Sequence, residues 1–127
     1  MPEAICAGAP QPIHVRHPRA PSTMMLIGWL ADAALASSAG YFSGMEVDGS
    51  RIDPLVDPKR QRCTTWNGSI SVAAPAGVIA DALTKVVRLA PDRAPEILDH
   101  FGAQAVVIDD QGARSCGRPL LQTDLRQ

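Results

Sequence analysis

The sequence predicts an α+β fold in which a mostly antiparallel sheet carries two helices on one face. Three observations carry that expectation. Short runs of apolar-polar alternation are separated by Asp48-Gly49 and Asn67-Gly68, dipeptides that favour tight hairpin turns. Val78, Ile79, Ala82, Leu83, Val86 and Val87 then recur at helical spacing as one apolar stripe. A last apolar run, "AQAVVIDDQG", completes the order strands, helix, helix, strand, which puts helices on one side of an antiparallel sheet.

The elements follow in chain order. Residues 1–22 contain repeated prolines and no period, so they are expected to form an extended arm. Within them "PIHVRHP" alternates like a short edge strand stopped by Pro18. The run "STMMLIGWLADAALASSAGYF" is ambiguous: its first part suits a short helix capped by Ser22 or Thr23, and its end, "ALASSAGYF", suits a closely packed strand. "MEVDGSRI" is a hairpin, and "DPLVDPKRQR", with two Asp-Pro pairs, is a loop. "NGSISVAAP" is a strand, and "PAGVIADALTKVV" opens the main helix with Asp81 and Lys85 one turn apart on its far side. "PDRAPEILDHFG" gives a shorter helix, with Pro95 in its first turn and Gly102 past its end. "AQAVVIDDQG" is a buried strand that stops at an acidic turn, and "ARSCGRPLLQTDLRQ" has no period. The expected organisation is an arm over 1–22, one domain over 23–113 and a tail over 114–127.

Composition narrows the function classes. A chain of 127 residues with 46% apolar and 20% charged side chains forms one globular core. A net charge of -1 gives no pull towards nucleic acid or an anionic membrane. Tyr41, Phe42, Phe101, Trp29 and Trp66 are too few to form a base-stacking platform. Cys6, Cys63 and Cys116 are far apart and form no CxxC pair, so they are expected to be reduced thiols without zinc. "MPEAICAGAP" lacks a basic region followed by an apolar run, which leads to an expected cytoplasmic location. "MMLIGWLADAALA" is too short for a membrane span and is broken by Asp32.

Motifs with chemistry are few. "VAAPAGVIAD" joins a strand to a helix but has a single glycine, a weak signal for a phosphate loop. No GxSxG elbow, HExxH pair or EF-hand loop occurs. His14 and His17 suit a solvated loop, and His100 suits the end of a short helix, where a cation complements the dipole. Asp81 has two readings. With Thr84 on an adjacent ridge it supplies two oxygen donors of the kind Mg²⁺ takes. With Lys85 it forms an i, i+4 ion pair contributing roughly 0.2–0.5 kcal/mol.

The succession "VRHPR", "ALASSAGYF", "VDGSRI", "VDP", "SISVAAPAGVIADAL" and "AVVIDDQG" resembles the C-terminal part of the ApbE family, the FAD:protein FMN transferases, from about Ile13 to Gly112. The resemblance implies the C-terminal lobe of the ApbE fold, with FAD as substrate and Mg²⁺ as the metal. It implies transfer of FMN from FAD to a Thr or Ser of an acceptor protein, with release of AMP. It places Asp81 and Thr84 at the metal, and Ser38, Tyr41 and Asp57 at the flavin nucleotide. Three positions depart from the family pattern. Lys85 stands where a hydroxyl ligand is usual, Pro54 where a His is usual, and Ser38-Ala39-Gly40-Tyr41 lacks the polar third residue. Family members are usually more than twice this length, and their N-terminal Gly-rich segments have no match here. The expected form is therefore a truncated one that needs an N-terminal-half partner. A non-catalytic binding or assembly module is the alternative reading. A third reading makes the chain a flavin acceptor, through Ser50 or "SSAGY". An unpaired strand edge near residues 13–17 points to a homo-oligomer.

Overall fold

The computed structural model describes residues 9–17, 20–39, 45–47, 50–52, 56–63, 66 and 68–121. Ten strands run in chain order: β1 (Gln11–His17), β2 (Ala20–Leu30), β3 (Ala34–Ala39), β4 (Met45–Val47), β5 (Ser50–Ile52), β6 (Val56–Asp57), β7 (Arg62–Cys63), β8 (Ser69–Ala74), β9 (Gln104–Asp109) and β10 (Gly112–Gly117). Helices α1 (Gly77–Leu89) and α2 (Ala94–His100) fall between β8 and β9. The main sheet has the order β10-β9-β8-β3, with every neighbouring pair antiparallel. This is the α+β arrangement that the element order implies.

β8 lies inside that sheet and is buried at all six positions. Side chains alternate across a strand. Ile70, Val72 and Ala74 enter one core with Ala80, Leu83 and Val87 of α1, Ala94 and Leu98 of α2, and Ala105 of β9. Ala73 enters a second cluster with Leu30 and Leu121, against which Ile13, Leu35 and Val106 pack. The helices thus cover one face, and the β1–β2 hairpin with the Leu120–Leu121 segment covers the other. Gln104 fastens that segment. Its Oε1 accepts the backbone N–H groups of Leu120 at 2.9 Å and Leu121 at 2.7 Å.

α2 ends as its sequence predicts. Gly102 adopts φ +63°, which a residue with a Cβ rarely takes. The N–H of Ala103 donates to Leu98 O at 2.8 Å and that of Gly102 to Asp99 O at 3.1 Å, which together satisfy the last carbonyls of the helix.

The structure corrects four local expectations. "STMMLIGWL" belongs to strand β2, because pairing with β1 along its length supplies the backbone partners that a helix would have supplied internally. "DPLVDPKRQR" contains the short pair β6–β7, turned through Gln61 at φ +56°. The buried face of α1 is Ala80, Leu83, Thr84 and Val87, whereas Val78 is 79% exposed and Ala82 is exposed. The buried set keeps the i, i+3, i+4, i+7 spacing but is rotated from the apolar stripe, because only one side of the helix meets β8 and β3. Lastly, Arg114 to Gly117 continue β10 as the outer strand beside β9, although their sequence shows no alternation of apolar side chains.

Gly117 marks a close approach. At φ +92° a Cβ built there would lie 2.4 Å from Ala103 O. Gly112 has φ +108° and an open surrounding. Gly117→Ala is therefore expected to destabilise the fold by about 2 kcal/mol more than Gly112→Ala, as read from urea denaturation midpoints.

Candidate functional site

The β8–α1 junction presents the acidic residue that the sequence singles out. Ala80, Leu83, Thr84 and Val87 are pinned to the sheet, so Asp81 is carried outward on the second turn of α1. Its carboxylate is 69% exposed and accepts from Lys85 Nζ at 3.1 Å. Lys85 Nζ also lies 3.5 Å from the backbone carbonyl of Asp81. Such an exposed pair contributes at most a few tenths of a kcal/mol.

Thr84 does not share that outlook. It is 1% exposed, and its hydroxyl donates to Asp81 O at 2.7 Å. Its Oγ1 thus serves the helix backbone, inside the core. The structure separates Asp81 from Thr84, and the two side chains do not present a common oxygen cage. Mg²⁺ takes several oxygen donors in octahedral array. A single carboxylate already holding an ammonium does not fit that requirement, so these two residues alone make no magnesium site. Among the described residues no three His, Cys, Asp or Glu side chains converge on one point.

The remaining candidates lie elsewhere. Ser38 sits half-buried near the end of edge strand β3, opposite Ile70 of β8. Asp57 stands opposite Arg62 in the β6–β7 pair. Tyr41 and Pro54 lie outside the described residues. The neighbouring Ser37 Oγ and Ser71 Oγ are 2.8 Å apart, a cross-strand hydrogen bond that locks β3 onto β8.

A cleft of about 480 Å³ opens at the other end of α1. Trp66, Ile70, Val87, Val107 and Cys116 line it, with the Asp109–Arg114 pair on its border. The Arg88 guanidinium lies 4.7 Å from the Trp66 ring centre. The indole also covers Gly68, where any Cβ would fall within 2.3 Å of a ring carbon. Arg114 holds Asp109 in a two-pronged bond of 3.0 and 2.8 Å. That bond, with the Gln111 N–H, holds the Asp109 carboxyl below its ordinary value despite partial desolvation. Burial pushes the Cys116 thiol up, so it is protonated at neutral pH and a poor nucleophile. Sequence reasoning missed this region. The signal available was "DDQGAR", a turn-forming run that folds β10 back on β9 and brings Arg114 to Asp109.

No family model matches the chain. It is 31% identical over 80 residues to the FAD:protein FMN transferases of Escherichia coli strains K12 and O157:H7, a match covering 61% of this chain and 23% of theirs. Its fold is that of the ApbE protein of Thermotoga maritima, at TM-score 0.68 and 23% identity, covering 87% of this chain and 36% of that one. The flavin transferase ApbE of Vibrio cholerae superposes at TM-score 0.61 and 23% identity, with the same coverage. The Pseudomonas stutzeri flavinyl transferase ApbE superposes at TM-score 0.57 and 19% identity, covering 92% and 39%. The chain is thus similar to FAD:protein FMN transferases over part of their length and shares its fold with the ApbE structures. It spans about a quarter of the curated relatives it matches. Among the described residues no helix is long and apolar enough to cross a membrane.

The Asp109–Arg114 pair sets an acid dependence. Asp109 has a folded pKa below its unfolded value, so its contribution is present above the ordinary carboxylate range and is lost as pH falls through the folded value. Asp109→Asn should flatten the loss of stability below about pH 4 while lowering stability at pH 7. Urea midpoints at the two pH values check both parts.

Proposed function

We propose that this chain is the portion of an FAD:protein FMN transferase that brings Asp81 to the reaction site, and that further polypeptide completes that site. The observation that carries this reading is the ApbE fold together with the 31% identity to FAD:protein FMN transferases. The acceptor hydroxyl oxygen bonds to the flavin-side phosphorus of FAD, the pyrophosphate bond breaks, AMP leaves, and the hydroxyl proton passes to solvent or a base. Ser38, Tyr41 and Asp57 are the positions assigned to the flavin nucleotide, and Asp81 is the position assigned to a divalent cation. Thr84 is retained in that assignment only as the residue that holds the Asp81 turn through its hydroxyl.

The requirement for further polypeptide rests on cavity physics. A cofactor pocket buries most of its ligand. One carboxylate at 69% exposure supplies only one side of such a pocket.

One observation favours a second reading. The 3.1 Å contact of Lys85 with Asp81 puts an ammonium where a cation would sit. In that reading the chain is a non-catalytic relative serving as a binding or assembly module.

The two readings part in one experiment. The chain is fused behind the N-terminal segment of the Escherichia coli relative, in place of the segment it matches, and AMP release from FAD is followed with an acceptor protein present. The transferase reading expects AMP release that falls at least about tenfold in Asp81→Ala, the scale of loss of a group acting on the reacting phosphate. No AMP from a folded fusion rejects the transferase reading and favours the module. Release unchanged in Asp81→Ala rejects the role of Asp81.

A further inference from the structure

We propose that the cleft bounded by the last turn of α1, the first turn of α2 and strands β8 to β10 binds a small planar aromatic carboxylate. The inference does not depend on the transferase reading. About 10 Å of helix rise separates Arg88, which lines the cleft, from Asp81.

The first observation is how the cleft arises. Side chains on one face of a sheet form rows across its strands. Val72, Ala105 and Cys116 are register partners in one row, and Ile70, Val107 and Arg114 form the next row towards the β9–β10 turn. Val72 and Ala105 are fully buried in the core that the helices cover. Val107 is only partly buried, and the Arg114 side chain is 51% exposed. The cover therefore runs out at the second row. α1 reaches this point with Val87 and Arg88, α2 begins there with Ala94 and Pro95, and Trp66 adds an indole to the wall. The resulting space of about 480 Å³ has mostly apolar walls. Small-molecule sites are of this kind, with volumes of about 300–1,000 Å³.

The second observation is charge. Arg88, Asp109 and Arg114 are the charged residues of the lining, two guanidinium groups against one carboxylate. Asp109 is already engaged, because Arg114 holds it at 3.0 and 2.8 Å and the Gln111 N–H donates to it at 2.8 Å. A guanidinium carries five N–H donors, and Asp109 takes two of those on Arg114. The Cys116 thiol is protonated at neutral pH and adds no negative charge. An anion of single charge balances this lining. A phosphate monoester, with close to two charges at neutral pH, overshoots it, and a cation is repelled.

The third observation is shape. The Arg88 guanidinium lies 4.7 Å from the centre of the Trp66 ring, so one wall is made of two flat groups. Flat rings pack on such groups by stacking or by their edges. In this assignment Trp66, Ile70 and Val107 hold the aromatic body, Arg114 takes the carboxylate through its remaining donors, and Arg88 adds positive potential. The planar fork of a guanidinium matches the planar carboxylate.

Two-dimensional ¹H–¹⁵N NMR of the full chain, titrated with naphthalene-2-carboxylate and separately with naphthalene-2-carboxamide, tests the proposal. The carboxylate should give saturable shifts at the amides of Val107, Ser115 and Cys116 and at the Trp66 indole N–H. Its dissociation constant should be about 1 mM or tighter, as is ordinary for a ligand of this size. The neutral carboxamide should bind about fivefold more weakly, the factor that one charge pair near 4 Å contributes in water. Arg114→Gln, shown to be folded by the same spectrum, should bind the two probes within about twofold of each other. The proposal is overturned if the carboxylate gives no saturable shift by about 5 mM, or if its shifts centre on the β1–β2 hairpin or around Asp81. Equal binding of the carboxamide by the wild-type chain overturns it as well, and this comparison decides the matter even if Arg114→Gln does not fold. A preference for the anion that survives in folded Arg114→Gln removes Arg114 from its assigned role.

Discussion

The burial of β8 on both faces is the constraint on which the rest of the molecule depends. Six consecutive residues, Ser69 to Ala74, lose contact with solvent. A strand in that position needs hydrogen-bonded neighbours on both edges and apolar cover above and below. β9 and β3 supply the edges. α1 and α2 supply one cover, and the β1–β2 hairpin with Leu121 supplies the other. Two of the polar residues within this arrangement are tied in turn. Ser71 meets Ser37 across the strands, and Gln104 receives two backbone N–H groups from the segment that closes the second face.

That constraint determines what the surface offers. α1 follows β8 after two residues and must lay Ala80, Leu83, Thr84 and Val87 on the sheet. Asp81 and Lys85 are then turned to solvent whatever their chemistry, and Thr84 is turned inward. The Asp81 carboxylate is held on the second turn of a helix that packs on a strand buried on both faces. It is not enclosed.

Much of this was legible in the sequence. Period-2 runs flanked by Asp48-Gly49 and Asn67-Gly68 mark strands, and the Pro95 to Gly102 pattern marks α2 with its terminal turn. The i, i+4 spacing of Asp81 and Lys85 gives their pairing directly. The misread parts share a physical cause, namely dependence on distant neighbours. β2 is a strand because β1 pairs with it, not because its residues prefer that state. The buried side of α1 is set by where the sheet lies, so an apolar stripe that includes Val78 and Ala82 placed the face wrongly, and Thr84 became a surface donor on paper and a core residue in the fold. β10 lacks alternation because its outer position leaves most of its side chains exposed. The ApbE resemblance, read from short motifs in order, matched the fold and part of the length of the curated relatives.

The most direct test of the account is amide hydrogen exchange in the native chain, followed residue by residue with NMR. If β8 is the element that everything else serves, the amides of Ile70, Val72 and Ala105 should exchange only through global unfolding, with the α1 interior next and the β6–β7 pair opening far more readily. β8 amides that exchange by local opening as fast as those of the β1–β2 hairpin would contradict it. Asp81 would then have no rigid base, and its placement could not be explained by the core.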